Sequence, residues 1–138
     1  MIRVFLSSPY SSPLPSIMRE RADIAGDACA WLWQQGYAAY SPIAHWHGIA
    51  VRRNLPTNAN AWIDLNKREL AASDAVAFLH LDGWRDSAGM AMEREWARNL
   101  PQAVIEPRDG SFAVVQGQLW SDDPHGLAYC DGQWIRID

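Results

Sequence analysis

The chain has 138 residues, a usual length for one domain with a core of its own. A net charge of −4 argues against a surface that binds a nucleic acid polymer, and no run approaches the roughly 20 apolar residues of a membrane span. The first residues lack the basic and apolar regions of a signal peptide, so we expect a cytoplasmic protein. Cys29 and Cys130 are too few and too far apart to suggest a disulfide scaffold or a zinc site, and packing roles are expected for both.

Strands and helices are predicted to alternate from the first residues onward. An apolar strand over residues 2–6 precedes a proline-rich loop, and a helix over 16–35 precedes a second strand over 37–41. Residues 42–56 are predicted to form an irregular loop that contains His45-Trp46-His47. A lid over a substrate is favoured there over a metal site, because no Cys or clear carboxylate partner is near.

The second half of the chain continues the alternation and then changes character. Helices are predicted from about residue 58 or 60 to 72 and over 88–99, and strands over 75–80 and 103–105. Beyond Pro107, apolar runs flank Gln116-Gly117 and Asp131-Gly132, which indicates β-hairpins. The prediction is an α/β domain over 1–107, with a doubly wound, flavodoxin-like or Rossmann-like parallel sheet of four or five strands. A C-terminal antiparallel hairpin extension over 108–138 is expected to pack on the same domain or on a neighbouring subunit.

A polar loop with small residues follows the strand at 75–80 and leads into a helix. Ser87, Gly89, Ala91 and Glu93 alternate there at fixed spacing. Loops after parallel strands form the crevice in which open α/β sheets bind ligands, and a helix N-terminus favours an anion. The segment therefore predicts a carboxylate beside an anion-binding loop.

Three short segments resemble the nucleoside 2-deoxyribosyltransferase superfamily, including its small uncharacterised bacterial and phage branch. They are residues 6–10, the pair Ser73-Asp74 and the Ser87-x-Gly89-x-Ala91-x-Glu93 element. The family uses a Ser-x-Gly-x-Gly-x-Glu element in which the Glu is the nucleophile, and this chain departs from it at Ala91. The resemblance covers about residues 1–107 and implies that Glu93 attacks an anomeric carbon.

The residues themselves also favour a site at Glu93. Its helical neighbours are small on one side and apolar on the other, which places the carboxylate between core and cleft, whereas Glu95 should lie on the solvated face. An ionised carboxylate in a cleft can form a covalent glycosyl intermediate. The alternative is that Glu93 is itself a solvated helix residue.

The other candidate residues follow from the resemblance and from the loops. Asp74 is expected to hold the nucleoside or to help protonate the leaving base, and Tyr10 to orient Glu93; the alternatives are a turn residue and a packed ring. The candidate catalytic residues are Glu93, Asp74 and Tyr10. The candidate substrate-binding residues are Ser7, Ser8, Asp82, Trp84, Asp86, Ser87 and Gly89. Local backbone hydrogen bonds for the Asp residues and a helix cap for Ser87 remain alternatives.

We expect an enzyme that cleaves the N-glycosidic bond of a nucleoside 5′-monophosphate or nucleoside, by hydrolysis first and by base transfer second. Arg19 or Arg85 would supply the cation for a phosphate. No metal and no cofactor are expected. A glycohydrolase for an NAD-type dinucleotide and a non-catalytic nucleotide-binding or oligomerising module remain alternatives. The expected partner is a small molecule, with no membrane, and the apolar hairpin edges favour a homo-oligomer.

Overall fold

Five strands form one sheet in the computed structural model, which describes residues 1–117, 127–130 and 133–136. The sheet order is β2-β1-β3-β4-β5. Its strands are β1 (Arg3–Ser7), β2 (Ala38–Tyr40), β3 (Ala75–Leu79), β4 (Gln102–Arg108) and β5 (Ser111–Gly117). The first four are parallel, and β5 runs antiparallel to β4. A second, two-stranded antiparallel sheet pairs β6 (Leu127–Cys130) with β7 (Gln133–Arg136).

Helices connect the parallel strands. They are α1 (Pro15–Gln34), α2 (Pro42–Arg53), α3 (Ile63–Ala71) and α4 (Ala88–Trp96), with short 3-10 helices at Ala59–Trp62 and Trp84–Asp86. Among the residues that the structure describes, none of these helices is long and apolar enough to cross a membrane.

The sheet has an apolar core on each of its faces. On one face, α1 buries Ala25, Ala28 and Leu32 against a cluster that includes Leu6 and Leu79. On the other face, Leu70 of α3, Met90 of α4 and Ala97 at the end of α4 are buried and pack with Phe5, Val76 and Phe78. Residues next to each other on a strand belong to different clusters because their side chains point to opposite faces. The predicted doubly wound α/β fold is confirmed.

One predicted loop is wrong, because residues 42–53 form α2. The Ser41 hydroxyl caps this helix by accepting a hydrogen bond from the Ala44 N–H at 3.0 Å, and Pro42 occupies the first helical position. Asn54 ends the helix in the left-handed conformation, with φ of 54°. The start and stop signals were therefore present in the sequence, and the mixed polar and aromatic composition between them obscured the helix.

The turn of the first hairpin lies earlier in the chain than the predicted turn at Gln116-Gly117. Strands β4 and β5 pair across Asp109 and Gly110, which both have positive φ, so the sheet continues past Pro107. The predicted partner strand at 118–120 lies outside the described residues. The later hairpin pairs β6 with β7 as predicted, and its Asp131-Gly132 turn also lies outside them.

The strand order places a ligand crevice between β1 and β3. After β1 the chain places β2 on one side of it, and then returns to place β3 and β4 on the other side. The direction in which successive strands are added to the sheet therefore reverses between β1 and β3. Open α/β sheets bind ligands beyond the carboxyl ends of the strands at such a reversal. Ser7 and Ser8 lie at that end of β1, and residues 80–93 follow that end of β3.

Candidate functional site

A cavity of about 490 Å³ lies at the carboxyl end of the sheet. Its walls come from the loop after β1, from α2, from residues 56–62 and from residues 83–93, which include the start of α4. This volume is in the usual range for pockets that bury a small molecule. The cavity therefore lies in the crevice that the strand order indicates.

Glu93 is the buried acid of this cavity. Only 5% of the residue is exposed, and its Oε1 accepts a 2.8 Å hydrogen bond from the Ser7 hydroxyl. Burial raises the pKa of Glu93 to about 7, although the hydrogen bond from Ser7 acts in the opposite direction. A carboxyl group with this pKa is present in both its protonated and its ionised form near neutral pH.

Helix α4 fixes the position of this carboxyl group. The Ser87 hydroxyl caps the helix by accepting a hydrogen bond from the Met90 N–H at 3.1 Å. Met90 and Ala97 are fully buried in the core, and Glu93 lies between them on the same side of the helix. Glu95 turns away, with 68% of its side chain exposed. The predicted placement of Glu93 between core and cleft is confirmed.

Four of the predicted binding residues line the cavity beside Glu93: Ser8, Asp86, Ser87 and Gly89. Ser8 is 4% exposed, and its hydroxyl has no hydrogen-bond partner within the described part of the chain. A buried hydroxyl without a partner is uncommon and is available to a ligand. Ala91, where the chain departs from the family pattern, is exposed and does not line the cavity, so its methyl group leaves the cavity unchanged.

Asp74 lies at the wrong end of the sheet for its predicted role. It immediately precedes β3, and its Oδ2 accepts a 2.8 Å hydrogen bond from the Arg3 N–H at the start of β1. The five residues of β3 separate it by roughly 16 Å from the carboxyl end of the sheet, at about 3.3 Å per residue. Asp74 therefore connects the amino ends of β1 and β3. In a parallel sheet these ends lie at the edge opposite the crevice.

Tyr10 lines the cavity, but it does not contact Glu93 as predicted. Its hydroxyl forms a 2.7 Å hydrogen bond with Nδ1 of His47, and the two rings pack edge to face with centroids 5.5 Å apart. Burial raises the pKa of Tyr10. The predicted orienting role belongs instead to Ser7, which holds the carboxyl group directly.

Trp84 and Asp82 also lie outside the cavity wall, contrary to prediction. Trp84 stacks on His80 with the ring centroids 3.6 Å apart, and the Arg85 guanidinium lies 4.5 Å from the centroid of the Trp84 ring. The Asp82 side chain is exposed, whereas its backbone carbonyl accepts a hydrogen bond from Arg21. Arg85 and the exposed Arg19 are not in the wall, so neither of the predicted phosphate cations reaches it.

Arg21 links the two loops of the crevice, and sequence reasoning missed it. Its guanidinium donates hydrogen bonds to the carbonyl oxygens of Tyr10, Ser11 and Asp82, at distances of 3.2, 2.9 and 3.1 Å. It joins the loop after β1 to the loop after β3. No local pattern marks this residue, because its partners are backbone atoms distant in the chain.

An aromatic wall faces the polar side of the cavity. Trp46 of α2 and Trp62 of the first 3-10 helix line it with their ring centroids 5.3 Å apart. Asn66 lies beside them, and its buried Oδ1 has no hydrogen-bond partner in the described ranges. A lid over the substrate was predicted for the segment that contains Trp46, and this residue lines the cavity. Trp62 and Asn66 were missed.

The match to a protein family covers residues 2–109, more than three quarters of the chain, and the family is described as "Domain of unknown function (DUF1937)". The chain belongs to this family. No curated protein matches it. All residues that line the cavity lie within the part of the chain that matches DUF1937. The family description carries no activity, so the function of this DUF1937 protein must be argued from the cavity itself.

The histidines of α2 take different positions in this DUF1937 domain. His45 is exposed and packs against Trp46, whereas His47 faces the cavity and bonds to Tyr10. Within the described ranges, no three His, Cys, Asp or Glu side chains form a group that could hold a metal ion.

Proposed function

We propose that this protein cleaves the N-glycosidic bond of a nucleoside or nucleoside 5′-monophosphate, with Glu93 as the nucleophile. The observation that carries the proposal is the buried Glu93 carboxyl group beside a cavity that has an aromatic wall. A nucleoside has a polar sugar joined to a planar base, and the cavity offers polar groups around Glu93 and two indole rings at Trp46 and Trp62.

The reaction follows the two-step course of a retaining glycosidase. The Glu93 carboxylate attacks the anomeric carbon, the bond from that carbon to the base nitrogen breaks, and a glycosyl ester forms. Water then displaces Glu93 in a hydrolase, or a second base displaces it in a transferase. The Ser7 hydroxyl holds the carboxyl group in position for both steps.

The helix N-terminus supports recognition of an anion near the sugar. Ser87 and Gly89 at the start of α4 line the cavity, and so does Ser8, whose hydroxyl is unpartnered in the described residues, in the loop after β1. The guanidinium of Arg21 donates to three carbonyl oxygens, so a phosphate in this cavity would depend on hydroxyl and N–H donors more than on an Arg side chain. A nucleoside without a phosphate needs no anion-binding group. The proposal therefore includes both nucleosides and nucleoside 5′-monophosphates as substrates.

The test is base release from a panel of nucleosides and their 5′-monophosphates, followed by chromatography. Glu93→Gln should keep the fold and the binding of the same ligand, and should lose at least about 10²-fold of the turnover, because an amide cannot supply the nucleophile. Glu95→Gln, on the exposed face of the same helix, is the matched control and should retain wild-type turnover. Undiminished base release by a folded Glu93→Gln protein would contradict the assignment.

The same panel distinguishes the remaining alternatives. Release of nicotinamide from NAD, without action on the monophosphates, would indicate a dinucleotide glycohydrolase. Binding without release of base from any ligand would favour a nucleotide-binding module.

A further inference from the structure

The reaction needs a proton at the leaving base, and the residue that the family resemblance implied for this role is elsewhere. When the bond from the anomeric carbon to the base breaks, its electron pair goes to the base nitrogen. Without a proton the base would leave as an anion, and the barrier to cleavage of the N-glycosidic bond would be higher. Asp74 lies at the opposite end of the sheet, so the proton must come from another group.

Two titratable residues of the cavity wall are joined by a hydrogen bond. Tyr10 follows β1 and His47 belongs to α2, and both side chains line the cavity that Glu93 faces. The Tyr10 hydroxyl and the His47 Nδ1 are 2.7 Å apart, the distance of a good hydrogen bond. Imidazole both accepts and donates a proton readily near neutral pH, so this pair can pass one without a large movement of either ring.

We propose that the Tyr10 hydroxyl gives its proton to the departing base while His47 replaces that proton through Nδ1. The inference rests on the proposed function, because it assigns the acid of the same reaction. In the first step, Glu93 forms the ester, the electron pair of the broken bond goes to the base nitrogen, and the Tyr10 proton moves to the base. The proton on Nδ1 of His47 moves to the Tyr10 oxygen, so the base leaves neutral and His47 becomes neutral.

The second step restores the starting state. Water attacks the glycosyl ester, and the proton that it releases returns through the Tyr10 hydroxyl to His47. Tyr10 is the catalytic residue in this scheme, and His47 is a positioning residue that also supplies the proton to Tyr10. Burial raises the pKa of Tyr10, so this hydroxyl keeps its proton throughout the neutral range between turnovers.

Asp86 is the competing acid. It lines the cavity as the last residue of the second 3-10 helix, just before α4, and it is exposed. The remaining charged residues in the described wall are Arg21, which donates to three carbonyls, and Glu93 itself. The experiment therefore has to separate the Tyr10–His47 pair from Asp86.

The effect of a substitution on kcat for two different leaving bases distinguishes a residue that donates a proton from one that only supports the fold. A purine nucleoside needs a proton on its base to leave, whereas an N7-methylated purine nucleoside already carries a positive charge there and leaves without one. Tyr10→Phe keeps the ring, and His47→Gln keeps a hydrogen-bonding group without a proton to pass on. We expect each variant to lose about 10²- to 10⁴-fold in kcat on the purine nucleoside and less than about threefold on the methylated one.

The methylated substrate also serves as the check that each variant is folded. His45→Gln, the exposed neighbour on α2, is the matched control and should cleave both substrates like the wild type. Equal losses on the two substrates in both Tyr10→Phe and His47→Gln would overturn the proposal, and so would a selective loss in Asp86→Asn instead. A wild-type protein that releases no base from these substrates or from any nucleoside or 5′-monophosphate of the panel would contradict the proposed function itself.

Discussion

The Ser7 hydroxyl donates a 2.8 Å hydrogen bond to Glu93 across 86 positions of the chain. It links the carboxyl end of β1 to the second turn of α4. Ser7 itself does not line the cavity, contrary to its predicted substrate-binding role, and reaches it only through Glu93. Ser7 is fully buried and Glu93 nearly so, which makes the bond a structural tie as well as the principal support of the carboxyl group.

The buried carboxyl group makes folding stability depend on pH. The pKa of Glu93 is raised from 4.5 to about 7 by folding, so between these values the folded protein keeps a proton that the unfolded chain releases. The free energy of unfolding should therefore fall as pH rises from about 4.5 to 7, by up to roughly 3 kcal/mol, and level off above that range.

Urea denaturation between pH 5 and 8 measures this contribution. In Glu93→Gln the side chain does not titrate, so the stability of the wild type relative to this variant should decrease as pH rises. Glu95→Gln should follow the wild type, because that side chain is exposed. A difference between wild type and Glu93→Gln that stays constant over the range would be inconsistent with a buried, titrating carboxyl group.

Removal of the Ser7 hydroxyl should raise the Glu93 pKa further. The hydrogen bond favours the ionised carboxylate, and in Ser7→Ala only the effect of burial remains. Since the nucleophile must be ionised, the acid limb of the kcat/KM profile should lie near pH 7 in the wild type and at higher pH in Ser7→Ala. Ser73→Ala is the control, because the Ser73 hydroxyl donates to the backbone carbonyl of Glu69 in α3 and neither residue lines the cavity. An unmoved limb in Ser7→Ala would mean that another group titrates.

Much of this architecture could be predicted because it depends on local patterns. The apolar run at β3, the small residues after it and the Ser87 cap are short-range signals, and parallel strand order then places Glu93 in the crevice. The prediction for Asp74 was wrong because a short motif does not say at which end of a strand it lies. Parallel geometry does say so, since a residue before β3 belongs to the amino end.

Other parts of the site depend on contacts that no local pattern encodes. Trp84 was predicted to bind substrate because it lies in the loop after β3, but His80 occupies one face of its ring. The His45-Trp46-His47 segment was recognised as a lid candidate, but because α2 was predicted as a loop, the sequence did not show which of the three residues face the cavity. Once residues 42–53 are known to be helical, Ile43, Trp46, His47 and Ala50 fall on one face, and that face lines the cavity.

Gly83 and Arg21 should be energetically coupled. Gly83 has a φ of 93°, and a Cβ at this position would lie 2.5 Å from Nη2 of Arg21. The guanidinium is held by three carbonyls and cannot move without loss of these bonds. Gly83→Ala should therefore destabilise the protein by about 1 to 3 kcal/mol, through backbone strain and displacement of Arg21.

A double-mutant cycle measures the coupling. Because Arg21→Ala removes the clash, the combined variant should lose less stability than the sum of the two single variants. Gly48→Ala is the matched control: it lies in α2 with open space around it, and it should stabilise the protein by about 0.5 to 1 kcal/mol. Additive effects at Gly83 and Arg21 would show that the Arg21 side chain adapts freely.

Ser87 tests whether the substrate carries a phosphate. Its hydroxyl caps α4 and lines the cavity, so Ser87→Ala should lower the free energy of unfolding by about 1 kcal/mol whatever the substrate is. A phosphate at the start of α4 would in addition lose a charge-assisted hydrogen bond. The affinity for the nucleoside 5′-monophosphate should then fall about tenfold more than the affinity for the matching nucleoside.

Both ligands are titrated calorimetrically into Glu93→Gln, which should bind them without turnover, and into the same variant with Ser87→Ala added. The two titrations give the loss of affinity that Ser87→Ala causes for each ligand. Ser87→Thr keeps the hydroxyl and the helix cap, and should preserve the preference for the phosphate. Equal losses for nucleotide and nucleoside would place the phosphate away from the start of α4. Because the Arg21 guanidinium is engaged with backbone carbonyls, such a result would favour a nucleoside substrate that carries no phosphate.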